Sequence, residues 1–359
     1  MTGRMLAPFL AMGPTAVQVF FVLSGFLVSG LLFQEIQNSG TVFPARFLIR
    51  RGFKIYPAFW VMLIATVLWN LHRGGSLAPG PILGELFYLQ NYDWCLSFHT
   101  WSLAVEEHFY FLLAGIFLFA RWRTRPGQKV SLPWLPDLCL AVAVICLLSR
   151  AVLWYTVYPT STNYFLFTHA DYVVIDSLFF GVFVSFYWHT IWDEGARNKI
   201  IRWAAPFAIL GLVLLLPMWE TMGAEWFYIC RFIMLNVGAC LLLLSSLALD
   251  RCPCRRLIRP IARLGQYSYS VYLWHLLVGY AVFPRLAIKF TGGAGWLLNV
   301  ILYFATAWII GIVLALVIEV PVIRCRDRWF PSMIRRPLPG RPETILEHCK
   351  TAHPEGNRE

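Results

Sequence analysis

The fold is decided first by an uncharged run of nineteen residues, TAVQVFFVLSGFLVSGLLF at positions 15–33. An α-helix needs about 20 mostly apolar residues to cross the hydrocarbon core of a bilayer, so this run predicts a spanning helix. Eight similar runs follow, at about 55–71, 101–120, 138–157, 172–190, 203–219, 227–249, 267–287 and 296–320. The sequence therefore predicts an all-α, multi-pass transmembrane helical bundle with about nine spanning helices.

Composition supports this class. Apolar residues make up 58% of the chain and charged residues only 14%, whereas a soluble domain carries about 25% charged residues. One segment, Ile82–Tyr92, is too short to span and carries Glu85 and Asn91, which favours an interfacial or re-entrant piece. Water is therefore not the main solvent of this protein.

The basic residues predict the orientation. Of the 30 Lys and Arg residues, 24 lie in the loops after the first, third, fifth and seventh spans and after the ninth. Because such residues accumulate in cytoplasmic loops, we expect the N-terminus outside and the C-terminus in the cytoplasm. The net charge of +11 then reflects topology and attraction to anionic lipid head groups, with no nucleic-acid partner.

We divide the chain into a transmembrane domain, residues 1–330, and a partly disordered cytoplasmic tail, residues 331–359, rich in Pro and Arg. Cys252 and Cys254 flank a proline, but no second pair of Cys or His lies near them, so no metal site is predicted. The zinc motif H-E-x-x-H, the P-loop and the acyltransferase box H-x-x-x-x-D are all absent from the sequence.

Ionisable groups within apolar spans are costly and therefore mark candidate sites. The third span opens with Glu106, Glu107, His108 and Tyr110. Glu106 and Tyr110 share a helix face at the spacing i, i+4, whereas Glu107 and His108 point elsewhere. Glu106 is predicted either to line a cavity or to pair with an arginine of another helix.

A second polar group lies at similar depth. His169, Asp171 and Asp176 stand at the start of the fifth span, with Arg150 in the fourth and Arg231 in the seventh. Opposite charges at matching depth favour an enclosed network, with Asp176 as a catalytic candidate. The alternatives are an ion pair between helices for the arginines and a solvated loop for His169 and Asp171.

Two further candidate sites are a pair of cations on the cytoplasmic side and a histidine within a span. Arg51 and Lys54, spaced i, i+3 at the start of the second span, could hold phosphate groups or simply form a positive flank. His275 lies about 12 Å into the eighth span, where it could act in catalysis or only hydrogen-bond within the helix packing.

Five motifs together resemble the acyltransferase-3 family, the membrane-bound O-acyltransferases that modify bacterial surface polysaccharides. They are Phe20-Phe-Val-Leu-Ser-Gly-Phe26, Arg51-Gly-Phe-Lys54-Ile-Tyr-Pro57, Trp101-Ser-Leu-Ala-Val-Glu106-Glu-His-Phe109-Tyr110, Ser268-Tyr-Ser-Val-Tyr272-Leu-Trp-His275 and Glu319-Val-Pro321. They are similar to the family patterns F-F-x-L-S-G-F, R-x-x-R-I-x-P, W-S-L-x-x-E-x-x-F-Y, S-Y-x-x-Y-L-x-H and E-x-P, in family order.

The resemblance implies a bacterial inner-membrane enzyme that transfers an acyl group, with acetyl expected, from acyl-CoA to a saccharide or lipid-linked saccharide. Acyl-CoA would be a co-substrate, not a permanently bound cofactor, and Arg51 and Lys54 would bind its phosphates on the cytoplasmic side. Glu106 and Asp176 would face the acceptor on the other side. A histidine suits the role of base, and His275 or an intramembrane arginine could stabilise the oxyanion.

Three positions depart from the family pattern. Lys54 replaces an arginine, Val174 stands where an arginine is usual, and no histidine precedes His72. The family's catalytic histidine lies in a first helix that this sequence does not include. The expectation is thus a start assigned too far downstream, or a truncated homologue without activity. A transporter or flippase of a lipid-linked saccharide, and a non-catalytic subunit of a polysaccharide assembly complex, are the rival hypotheses.

Overall fold

A computed structural model describes residues 2–76, 78–92, 95–156, 169–216, 225–249, 260, 262–287 and 293–331. Most of this part of the chain is helical, and no strand occurs within it. The prediction of an all-α membrane bundle is confirmed. Cys252, Cys254 and the tail from residue 332 lie outside the described residues.

Fourteen α-helices are found in the described ranges, three of them shorter than nine residues. They are α1 (Thr2–Ser39), α2 (Pro44–His72), α3 (Pro79–Leu86), α4 (Trp101–Arg123), α5 (Leu135–Thr156), α6 (Asp171–Val174), α7 (Asp176–Phe186), α8 (Glu194–Arg202), α9 (Ala204–Leu214), α10 (Glu225–Ser246), α11 (Ser268–Ala281), α12 (Phe283–Leu286), α13 (Gly293–Leu314) and α14 (Val320–Trp329). Short 3₁₀ turns at Gln90–Tyr92 and Phe98–Thr100 precede α4, and π turns at Tyr187–Ile191 and Ala315–Glu319 follow α7 and α13.

Six helical segments within the described ranges are long and apolar enough to cross a membrane. They are Thr15–Ser39, Pro44–His72, Phe98–Arg123, Leu135–Thr156, Ile229–Ser246 and Gly293–Trp329. The other three predicted spans contain shorter or interrupted helices, namely α6 with α7, α9, and α11 with α12. The count of nine spans therefore stays a prediction.

Two loops rich in basic residues lie against each other. The guanidinium of Arg121, near the end of α4, donates to the carbonyl of Val42 at 2.9 Å, and the amide of Val130 donates to the carbonyl of Gly40 at 2.9 Å. Arg50 at the start of α2 also pairs with Asp327 of α14 at 3.0 Å. These contacts place the α1–α2 loop, the end of α4 and α14 on one side of the bundle, called the basic side below.

Helices α1 and α7 approach each other closely at two glycines. A Cβ added to Gly25 would lie 1.9 Å from the carbonyl oxygen of Leu178, and one added to Gly181 would lie 2.1 Å from that of Val22. Because the opposing atoms belong to the backbone, neither side can yield to a larger residue. The glycine of the F-F-x-L-S-G-F motif thus has a packing role, and it sets the position of the neighbouring Ser24.

The final span changes its winding ahead of Pro321. The five residues Ala315–Glu319 form a π turn between α13 and α14. Proline lacks an N–H and its ring clashes with the carbonyl four residues earlier, so the normal α-helical hydrogen bond cannot form there. Such π turns are frequent at functional sites, and this one carries Glu319, which is buried.

Candidate active site

One face of α4 carries a row of buried polar side chains. Ser102, Glu106 and Tyr110 follow one another at intervals of four residues, so they lie above one another along the helix. All three are buried, and Glu106 is only 4% exposed. The predicted shared face of Glu106 and Tyr110 is confirmed, because the Tyr110 hydroxyl donates to Glu106 Oε1 at 3.1 Å. We call these residues the polar row of α4.

Helix α1 contributes Ser24 to this row. The Ser24 hydroxyl lies 3.3 Å from the Tyr110 hydroxyl, and since the Tyr110 proton is used toward Glu106, Ser24 is the donor. The position of Ser24 depends on the tight α1–α7 contact at the adjacent Gly25. The motif residues of α1 and α4 therefore meet at one carboxylate.

Two cations from α2 lie at the basic end of the row. The Arg51 guanidinium carbon is 5.5 Å from the centre of the Tyr110 ring and 5.8 Å from that of Phe47, which are cation–π distances. Lys54, partly buried, interacts electrostatically with Glu106 and Glu319. The structure thus brings Arg51, Lys54 and Glu106 together.

The neighbouring arginines differ in what they bind. Arg50 forms the ion pair with Asp327 and also donates to the Phe330 carbonyl. Arg51 forms no ion pair with any described residue. Its five N–H donors, in a planar fork suited to phosphate, are therefore available on the inner side of α2.

At the other end of the row lie two histidines. The Tyr272 hydroxyl of α11 lies 2.6 Å from Ser102 Oγ and donates to the backbone carbonyl of His99. The His99 and His275 rings are 5.0 Å apart between centroids, with an interplanar angle of 81°. His275, a predicted site residue, therefore lies beside the end of the polar row, and His99 is a neighbour that the sequence analysis had not selected.

A local signal for His99 existed. It precedes Ser102 by three residues and Glu106 by seven, the spacings at which residues share one helix face. It was missed because it lies just before the apolar run, where a histidine is typical of a solvated loop. Its burial at 8% exposure depends on α11, which lies far away in the sequence.

Asp176 lies in a different cluster. Its Oδ1 is 2.6 Å from Nη2 of Arg150, whose Nε also donates to the Val173 carbonyl at 2.8 Å. The guanidinium carbons of Arg150 and Arg231 are 4.6 Å and 4.9 Å from the centre of the Phe232 ring. This geometry supports the alternative of an ion pair between helices, here α5 and α7. A contact of Asp176 with the acceptor stays a prediction.

Glu107 and His108 point away from the polar row, as predicted. Tyr56 of α2 donates to Glu107 Oε2 at 2.8 Å. His108 Nδ1 lies 2.7 Å from Asp171 Oδ2, and the Tyr92 hydroxyl donates to the same oxygen at 2.8 Å. Burial and the Asp171 carboxylate raise the pKa of Tyr92. These bonds connect α4 to α2, α6 and the turn before α4.

Glu85 of α3 organises the turn that carries His99. Its Oε1 accepts bonds from the amides of Leu96 and Ser97, each at 3.1 Å, and from the Thr100 hydroxyl at 2.8 Å. Burial raises the pKa of Glu85 to about 7, although these three bonds oppose the shift. Gln90 adds a bond from Nε2 to the Thr100 carbonyl at 3.1 Å. The buried polar side chains Glu85 and Gln90 of the predicted interfacial piece thus support the start of α4.

The chain is similar to known acyltransferases. A family model described as an acyltransferase domain matches residues 2–320. The O-acetyltransferases OatA of Staphylococcus aureus strains NCTC 8325 and COL are each 25% identical to the chain over 293 residues, covering 75% of it and 46% of the relative. The chain therefore spans about half the length of these curated relatives. No solved structure matches it.

Proposed function

This chain belongs to the acyltransferase-3 family, and from that premise we propose that it transfers an acyl group from acyl-CoA to a hydroxyl of a cell-surface saccharide. Acetyl is the proposed group, since the relatives are O-acetyltransferases. The proposed location is the inner membrane of a bacterium, with the basic side and the C-terminus in the cytoplasm. The acceptor is a saccharide or a lipid-linked saccharide on the opposite side.

The observation that carries the proposal is the polar row of α4. The Arg51 guanidinium lies at its Tyr110 end, and the His99–His275 pair lies beyond its Ser102 end. From Tyr110 to Ser102 the helix rises about 12 Å at 1.5 Å per residue. Buried polar groups destabilise an apolar bundle, so such a line favours a functional role. Along it an acyl donor from one side of the membrane and a saccharide acceptor from the other could come into contact.

The donor end suits the phosphates of acyl-CoA. Arg51 offers a planar fork of N–H donors, and Lys54 offers a compact charge three residues further along α2. With the phosphates held at Arg51, the thioester arm would extend along the row toward Glu106. Lys54 interacts electrostatically with Glu106 and would add positive charge along the path of this arm.

The acceptor end suits proton removal. His275 Nδ1 bonds to the Tyr272 carbonyl, an acceptor only, so this nitrogen carries the proton and Nε2 keeps its lone pair. The hydroxyl proton moves to Nε2 while its oxygen attacks the thioester carbon. The C–S bond then breaks, the thiolate leaves with the electron pair and is protonated, and the products are an ester and free CoA. Glu106 would orient the acceptor by accepting a second hydroxyl proton in a hydrogen bond.

The test is transfer of labelled acetyl from acetyl-CoA to endogenous saccharide in membranes that contain the full-length gene product. Glu106→Gln should lower the rate about 100-fold, since a neutral amide replaces the carboxylate that orients the acceptor hydroxyl. Glu194→Gln is the matched control, because Glu194 lies exposed on α8. Equal rates for wild type and Glu106→Gln would remove Glu106 from the mechanism.

The same polar row is what a transporter of a lipid-linked saccharide would need, so that function is the second candidate. The distinguishing measurement is the fate of acetyl-CoA. A transporter would move the saccharide across vesicle membranes at equal rates with and without acetyl-CoA and would release no CoA. Stoichiometric release of CoA with ester formation would decide for acyl transfer.

A further inference from the structure

We propose that a cavity at the junction of α4 and α5 binds the phosphate group of an anionic phospholipid, held between Arg123 and Lys129. The cavity has a volume of about 320 Å³, and none of the residues that line it belongs to the polar row of α4. The inference concerns a separate site on the basic side, so it goes beyond acyl transfer and does not depend on it.

The cavity lies at the depth of the phospholipid head groups. Its lining comes from the end of α4, from the loop that follows and from Trp134, just before α5. The helical segments Phe98–Arg123 and Leu135–Thr156 are both long and apolar enough to cross a membrane, so the cavity lies where these two helices leave the hydrocarbon. The head groups occupy the layer directly outside the hydrocarbon core. A lipid phosphate can therefore reach the cavity without leaving the membrane.

The lining of the cavity is basic and rich in hydrogen-bond donors. Arg123 offers a planar fork of N–H groups that fits two phosphate oxygens, and Lys129 offers a compact positive charge. The amide of Gln128 and the hydroxyl of Ser131 add neutral donors. No carboxylate is found among the described residues that line the cavity. A phosphodiester without a cation of its own is therefore favoured over a head group that also carries an ammonium.

The two cations are not used by the protein itself. Elsewhere on the basic side, Arg121 donates to the Val42 carbonyl at 2.9 Å. Arg123 and Lys129, by contrast, form no ion pair with any described residue. The guanidinium carbon of Arg123 lies 5.8 Å from the centre of the Phe119 ring. This stacking holds the guanidinium beside the cavity and leaves its N–H groups available to a ligand.

The size of the cavity suits a phosphate group with its attached glycerol. A single water needs only about 10–15 Å³ of such space, so one water or one small ion would fill little of the about 320 Å³. Gln128, Lys129 and Ser131 are all exposed, so the cavity is open to a ligand from outside.

Exposed aromatic rings next to the cavity favour a lipid over a free phosphate ion. The Phe119 and Trp134 rings of its lining are 6.0 Å apart between centroids. Trp122 lies 6.1 Å from Phe119 and is 76% exposed. Aromatic side chains concentrate where hydrocarbon meets head groups, and here they give the phosphate site an apolar edge. A glycerol backbone and its first acyl carbons would contact this edge, whereas a free phosphate would use only the cations.

The loop that lines the cavity is also bound to a neighbouring loop. The amide of Val130 donates to the Gly40 carbonyl at 2.9 Å, so this loop lies against the one between α1 and α2. A phosphate that contacts both Arg123 and Lys129 would offset the repulsion between them and link the loop to the end of α4. Since a ligand that binds only the folded state stabilises it, phosphatidylglycerol should raise the thermal unfolding temperature of the protein.

The test is titration of the purified protein in detergent with phosphatidylglycerol, with binding followed by native mass spectrometry. A cation near a membrane surface contributes about fivefold to binding of an anionic lipid, so the double variant Arg123→Gln, Lys129→Gln should bind about 30-fold more weakly. The matched control is Arg125→Gln, Arg328→Gln, which removes two exposed charges of the basic side that do not line the cavity. It should bind phosphatidylglycerol as wild type does, and phosphatidylcholine should bind all three proteins weakly and equally.

Three outcomes of the titration would overturn the proposal. Equal weakening by the two double variants would mean a general attraction to positive charge and no specific site. Displacement of phosphatidylglycerol by inorganic phosphate at the same concentration would mean that a free phosphate is the ligand. If Arg123→Gln, Lys129→Gln raised the KM for acetyl-CoA and left lipid binding unchanged, the two cations would belong to the donor site.

A measurement on the wild type covers the case in which the double variant does not fold. Phosphatidylglycerol with a photoreactive diazirine near its glycerol should, on illumination, label residues 119–134 preferentially, as located by peptide mass spectrometry. Labelling that is no stronger there than at α2 or α14 would refute the site. A wild type that binds the lipid here but transfers no acetyl would refute the proposed function and leave this site intact.

Discussion

Replacement of Gly25 by alanine is the sharpest test of how the α1–α7 contact supports the site. The added Cβ would lie 1.9 Å from the Leu178 carbonyl oxygen, whereas a carbon and a carbonyl oxygen rest at about 3.3 Å or more. The helices must therefore separate locally by about 1.4 Å, because backbone atoms oppose the methyl group. Ser24, the next residue, would move with α1.

Two effects set the loss of unfolding free energy in Gly25→Ala. Overpacking of this kind costs about 1–3 kcal/mol, and a backbone obstacle favours the upper end. The bond between Ser24 and Tyr110 is already 3.3 Å long, so a shift of this size would break it and cost about 1 kcal/mol more. We expect Gly25→Ala to be destabilised by about 3–4 kcal/mol and to lose most of its acetyl transfer.

The assay is thermal unfolding of the purified protein in detergent, together with the acetyl-transfer rate. Gly115→Ala on α4 is the matched control, since a Cβ there meets nothing within 4 Å, and alanine is favoured over glycine in a helix by about 0.5–1 kcal/mol. Gly181→Ala, with its Cβ 2.1 Å from the Val22 carbonyl, should act like Gly25→Ala. The Gly25→Ala, Gly181→Ala double variant should lose less unfolding free energy than the sum of the two single variants, because one displacement of the helices relieves both clashes. A Gly25→Ala protein as stable as Gly115→Ala would refute this account of the contact.

Three further variants probe single groups. The pKa of Glu85 is raised from 4.5 to about 7, so the protein takes up a proton on folding between these pH values, and its free energy of unfolding should fall by about 3 kcal/mol as pH rises from 4.5 to 7. Glu85→Gln should flatten this pH dependence, measured by amide hydrogen exchange in the turn that Glu85 binds. An unchanged pH dependence in the variant would contradict the assignment to Glu85. Tyr110→Phe removes the donor to Glu106 and should lower acetyl transfer at least tenfold without changing the amount of folded protein; a wild-type rate would show that the bond is dispensable. Asp176→Asn leaves Arg150 buried without its counter-charge and should destabilise the protein by about 3–5 kcal/mol in thermal unfolding, whereas loss of activity at full stability would instead favour a direct role in catalysis.

Local patterns in the sequence predicted much of the site. The i, i+4 spacing of Glu106 and Tyr110 led correctly to a shared face, and the i, i+3 spacing of Arg51 and Lys54 to two cations on one side of α2. Those inferences hold because helix geometry relates residues three or four apart whatever surrounds them. No such rule predicts whether Asp176 pairs with Arg150 of another helix or contacts the acceptor.

The sequence by itself determined that this protein is a bundle of membrane helices, since long uncharged runs can satisfy their backbone hydrogen bonds in a bilayer only as helices. It also determined which helix faces are polar. Only the tertiary structure decided which polar groups meet. Ser24 reaches Tyr110 across 86 positions of sequence and His99 reaches Leu273 across 174. Such contacts depend on how closely whole helices approach, which at α1 and α7 is set by two glycines facing backbone oxygens, and no local period in the sequence encodes that distance.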